Sequence, residues 1–151
     1  MASAIYGLIL AASVITAADL ESGEGAFSVA LFTLFSLVVF WVAHSYSEIL
    51  GRWSADGTAP GIASIRAELS REWPMVVAPL VPLLVLVAGG VGSISDEAAI
   101  NTASGLCVLE LCFTSFFAAR RGGAGIALAV LATLISASFG VSIILLKLLL
   151  H

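Results

Sequence analysis

From Gly25 to Ser47 the chain contains no Asp, Glu, Lys or Arg, and the same is true of residues 74–92 and 124–146. A helix needs about 20 such apolar residues to cross the hydrocarbon core of a bilayer. Two further stretches fit the pattern: 2–18, which is short, and 98–119, which holds a single carboxylate, Glu110. Composition agrees, with 60% of residues apolar and 11% charged, against about 45–50% and about 25% in soluble domains. An ordinary water-soluble fold is excluded. The expectation is one membrane domain over residues 1–151: an all-α bundle of five transmembrane helices at about 2–18, 25–50, 74–92, 98–119 and 124–146.

The first of these ends in small residues, Thr16-Ala17-Ala18, as a secretory signal would. No Lys or Arg precedes Ile5, so the basic leader of such a signal is missing and the stretch reads as a retained span. Asp19, Glu21 and Glu24 make the following loop acidic. The second stretch turns polar at His44, Tyr46 and Glu48 and closes near Gly51-Arg52-Trp53, with a turn at Asp56-Gly57. Pro79 and Pro82 interrupt the third and should bend it, because each removes a backbone N–H from the helical ladder. Ser95 is placed to cap the fourth, with Asp96 and Glu97 favourable in its first turn. Arg120-Arg121-Gly122-Gly123 ends it.

Between the second and third spans, residues 61–73 differ in kind. Ile62, Ile65, Leu69 and Trp73 recur at spacings of three and four, while Glu68, Arg71 and Glu72 fall on other faces. This predicts an amphipathic helix lying along the membrane surface, its apolar residues toward lipid or the spans and Trp73 at headgroup depth.

Arg52, Arg66 and Arg71 occupy the loop between spans 2 and 3, and Arg120 and Arg121 that between spans 4 and 5; the loops after spans 1 and 3 have no basic residue. The N-terminus is therefore expected in the cytoplasm and the C-terminus outside, in a bacterial inner (plasma) membrane. Lys147 is the exception, and its long stem can reach the outer interface.

Few groups can carry chemistry. Glu110 lies about ten residues from either end of its span, near the bilayer midplane. A bare carboxylate there costs several kcal/mol, so it must be protonated, paired or facing a wet cavity; Cys107, Thr114 and Phe117 share its face. His44 and Glu48 are one helical turn apart, His44 about 7–9 Å and Glu110 about 14 Å inside the cytoplasmic boundary. A midplane carboxylate (Glu110, with Thr114), an imidazole (His44) and a carboxylate at the mouth (Glu48) form a candidate proton or cation relay. Each also has a packing explanation: a protonated Glu bonding a neighbour, and an interfacial His-Glu pair within an aromatic belt of Trp41 and Tyr46.

Ala129, Thr133, Ser136 and Gly140 place small side chains along one face of the last span, a seam for close helix contact and the leading face for a homo-oligomer. Cys107 and Cys112, five apart, point away from each other and cannot pair within one helix. His44 and Glu48 could offer a metal two ligands on one face and Glu110 a third, but neither cysteine adjoins them and no His-x-x-x-His or Glu-x-x-His repeat appears. Nor does a nucleotide loop or catalytic set, so neither a cofactor nor an enzymatic activity is expected. The net charge of −4 and absence of a basic run exclude a nucleic-acid footprint. The sequence thus points to a small proton or cation pathway, channel or transporter, in the lipid bilayer, assembled from several copies. The competing reading is a non-transporting membrane subunit that binds or assembles with a partner.

Overall fold

A computed structural model describes residues 1–20 and 25–150. The acidic loop at Glu21 and Glu24 and the terminal His151 lie outside the described residues, as do the side chains of Asp19 and Lys147. The chain is all-α: α1 (Ala2–Leu20), α2 (Ala26–Asp56), α3 (Ile62–Glu72), α4 (Pro74–Val77), α5 (Leu80–Gly90), α6 (Asp96–Arg121) and α7 (Ile126–Leu150), with no strand among the described residues. Two helices, α2 and α6, are long and apolar enough to cross a membrane, and the bent unit of α3, α4 and α5 would be a third if it forms one span. The apolar helices α1 and α7 are shorter over the residues that bear on this count.

The helix ends follow local chemistry. Ser95 Oγ accepts a hydrogen bond from the Ala98 N–H at 3.3 Å, and Asp96 and Glu97 occupy the first turn of α6, with Arg120 and Arg121 in its last. Gly57 closes α2 in the left-handed region at φ 67°, its N–H bonded to the Trp53 carbonyl at 2.9 Å. The expected stop near Gly51 is absent. A glycine inside a helix costs only about 1 kcal/mol, and the extra turns carry Arg52 to a partner on α3.

The expected boundary between surface helix and third span, at Trp73-Pro74, also moves. Pro74 starts α4 at a position where its missing N–H costs nothing, and α3 and α4 together meet α5 at 51°. The bend sits at Ala78-Pro79. There Pro79 and Pro82 withhold the N–H groups that would have bonded the carbonyls of Met75 and Ala78.

Packing centres on α1, which lies against α2, α4, α6 and α7. Its buried Ala11, Ala12 and Ile15 meet Ala26, Val29, Ala30 and Leu37 of α2, Leu83 and Leu86 of α5, and Ala99, Ile100, Ala103 and Cys107 of α6 in one core. Most of these are small, so the helix backbones approach closely. Gly7 is the extreme case: a Cβ there would collide with the Met75 backbone of α4. Gly89, at the end of α5, touches both Ala26 at the start of α2 and Ala99 near the start of α6. Helices α2 and α6 therefore begin at the same end of the bundle and run in the same sense.

The outer surface is the reverse of a soluble protein's. Phe27, Leu31, Phe32, Phe35 and Val42 on α2, and Leu128, Leu131, Leu134 and Phe139 on α7, are all exposed. So large an apolar exterior is compatible with a membrane location.

Candidate functional site

Two polar features lie within this apolar frame. The first is Glu110 on α6. The repeat Ala99, Ala103, Cys107, Leu111 and Ser115 turns one face of α6 into the bundle, and Glu110 stands at the edge of it, half-buried. Its Oε2 is fully buried and no hydrogen-bond donor of the described residues reaches it. Thr114, one turn on, is likewise half-buried. Phe113 and Phe117 of the same helix meet at a tilt, with ring centres 4.4 Å apart.

The second feature is a charged cluster where α2 meets α3. On α2, His44, Glu48 and Arg52 are spaced by four, which aligns them along one face. On α3, Glu68 and Glu72 are also four apart, and both are buried, at 2% and 6% exposure. Arg52 Nη2 pairs with Glu68 Oε2. Arg71 reaches Glu68 Oε1 at 2.9 Å, by charge rather than by hydrogen-bond geometry, and Glu72 Oε1 at 3.5 Å. His44 Nε2 lies 3.6 Å from Glu72 Oε2, and the ring stacks on Tyr6 of α1 with centres 5.8 Å apart. A protonated His44 would complete an ion pair with Glu72; a neutral one leaves Arg71 as that carboxylate's cation.

The buried side of α3 is thus acidic. The helix forms, and of the two directions expected for its apolar residues, lipid or the spans, they take the outward one: Ile62 is 86% exposed, Ile65 and Trp73 are exposed too, and Leu69 is half-buried. Arg52 and Arg71 neutralise Glu68 and Glu72, so these carboxylates can face α2 while the apolar residues turn outward. Polar periodicity gave a signal for this in the matching four-residue spacings on α2 and α3. Tyr6, Arg52, Glu68 and Glu72 were not among the groups expected to carry chemistry.

Glu110 is not part of that cluster. The partners of His44 are Tyr6 and Glu72, and α2 touches α6 only slightly, because α1 packs against both. Counted from their common end, His44 lies about 27 Å along α2 and Glu110 about 21 Å along α6. The two therefore differ by about 6 Å in depth, and the partners of His44 stand on α1 and α3. Glu48 is half-buried, one turn from His44, and makes no ion pair among the described residues.

The small-residue seam of α7 is occupied within the chain. Ala129, Ser136 and Gly140 are buried and Thr133 is half-buried, bonding back to the Ala129 carbonyl at 2.9 Å. Ser136 shares a 2.6 Å hydrogen bond with Ser115 of α6, and a Cβ on Gly140 would come within 2.7 Å of Val108 of α6. Within the chain, Ser136 and Gly140 of this face pack on α6.

The class this defines is an all-α protein with at least two helices suited to crossing a membrane. Comparison with known protein families, with curated proteins and with solved structures returns no match. Any function must be argued from these residues alone.

Proposed function

We propose that the chain is a five-span membrane protein, its N-terminus cytoplasmic and its C-terminus outside, that passes protons or a small cation, with Glu110 as the binding group at mid-depth. One observation supports this above all: a carboxyl oxygen of Glu110 is buried in an apolar helix with no donor of the described chain to satisfy it. Buried polar atoms are almost always paired, and an ionisable group inside a span is costly to keep unless it binds something. A proton or a cation is the smallest ligand that meets the need. Thr114 offers a hydroxyl one turn away, and His44 and Glu48 lie toward the cytoplasmic end.

Because the partners of His44 are Tyr6 and Glu72, His44 and Glu110 act in series rather than as a touching pair. Self-association, in this reading, uses the outer faces of α2 and α7, since the seam of small residues already joins α7 to α6.

The test is Glu110→Gln, which keeps size and hydrogen bonding but removes the titrating group. Proton flux into proteoliposomes under a pH gradient should fall at least tenfold. Flux unchanged in size and pH dependence would remove Glu110 from the mechanism. A second reading, a non-transporting subunit, is favoured by the charged cluster, whose Arg52, Arg71, Glu68 and Glu72 satisfy one another as a clamp between α2 and α3 would. Wild-type protein that integrates into vesicles and carries no flux would favour it.

A further inference from the structure

The cluster on the inner side of α3 uses two of the three arginines in this part of the chain. The third, Arg66, is exposed and makes no ion pair or hydrogen bond among the described residues. It lines an open groove of about 370 Å³ together with Trp41, Leu69, Ser70 and Trp73. Arg66, Leu69, Ser70 and Trp73 follow at spacings that put them on one flank of α3. Trp41 comes across from α2, where its indole N–H donates to the Leu69 carbonyl at 3.1 Å and its ring meets Trp73 edge-on at 5.0 Å. The groove therefore has two fixed aromatic walls, an aliphatic floor, a hydroxyl, and one unneutralised cation at its rim.

That combination matches the boundary of a bilayer. Indole rings settle at headgroup depth, and a guanidinium binds phosphate oxygens in a two-pronged fork. The neighbouring acids do not cancel the charge, because Glu68 and Glu72 are turned inward and paired with Arg52 and Arg71. The groove retains one net positive charge. We propose that it seats an anionic phospholipid, its phosphate on Arg66 and Ser70 and the start of its acyl chains against Leu69, Trp41 and Trp73. This rests on the membrane reading above but not on ion conduction.

The experiment uses full-length protein with Trp53→Phe, so that Trp41 and Trp73 report, in phosphatidylcholine vesicles containing increasing brominated phosphatidylglycerol. A parallel series contains brominated phosphatidylcholine. Quenching should show about a fivefold preference for the anionic lipid, the effect of one basic residue at an anionic surface. Arg66→Gln should reduce the preference to near unity while Arg66→Lys largely restores it; Arg120→Gln, remote from the groove, should leave it unchanged. A preference that survives Arg66→Gln, or none in the parent protein, overturns the proposal. So does its abolition by millimolar inorganic phosphate, which would identify a free-anion site. Protein that resists alkaline extraction yet shows no preference refutes only the lipid seat; protein that is extracted refutes the membrane reading itself.

Discussion

At the scale of single residues, the informative positions are those where polarity or smallness has a specific neighbour. Glu68 is nearly inaccessible and has Arg52 and Arg71 as its ion-pair partners. Replacing Arg52 with Met should destabilise the fold by about 1–3 kcal/mol, because a carboxylate loses a charged partner while staying buried. Repeating this in a Glu68→Gln background should cost less, and denaturation of the four proteins of that cycle measures the coupling. The Ser115–Ser136 bond joins α6 to α7 in an apolar setting. Ser136→Ala is expected to cost about 1 kcal/mol, read as a lowered unfolding midpoint in detergent. Gly140→Leu is more severe, since even a Cβ meets Val108; overpacking of about 1–3 kcal/mol should appear as lost thermal stability of the single chain.

Among elements, α3 is the one whose orientation was decided by its neighbours. Cysteines placed at Ile62 and Glu68 should differ sharply in labelling, fast at 62 and protected at 68, matching their exposure of 86% and 2%. Equal rates would mean that α3 does not rest its acidic side on α2. The bend between α4 and α5 belongs to the same scale. Two prolines remove the rungs at the Met75 and Ala78 carbonyls, so Pro82→Ala should restore one rung and reduce the 51° angle. Spin labels at exposed Ile65 and Val87 would report the change as an altered distance. No change would place the cause of the bend in the contact of α4 with α1 at Gly7 and Met75.

For the whole molecule, the common starting end of α2 and α6 is the organising fact. It puts the turn at Gly57, after α2, and the turn at Gly123, after α6, at one end of the bundle, and the Gly92–Ser93 turn at the other. The basic residues lie at the first of these ends, which in the orientation proposed above faces the cytoplasm. Membrane-impermeant labelling of intact cells should therefore miss cysteines at 57 and 123 and modify one at 93. Reaction at 57 from outside would invert the proposed orientation.

The apolar runs, helix-forming composition and capping residues were legible in the chain itself, because each depends on neighbours a few positions away. Ser95, Gly57, Pro79 and the small-residue face of α7 all act locally, and the structure uses each of them. Partner choice was not legible. Hydrophobic periodicity says that a face is buried in something, not whether the something is lipid or another helix, so Ile62 and Ile65 were free to turn outward once arginines neutralised Glu68 and Glu72. The same holds for Gly140, whose smallness announces a close neighbour without naming it. His44 and Glu110 differ by about 6 Å in depth, which sequence arithmetic supplies through the fixed rise of a helix. That His44 pairs with Tyr6 and Glu72 instead arises from the order of helices around the bundle. That order is set by how the small residues of α1, α2 and α6 fit together, and such long-range fit is a property of tertiary packing alone.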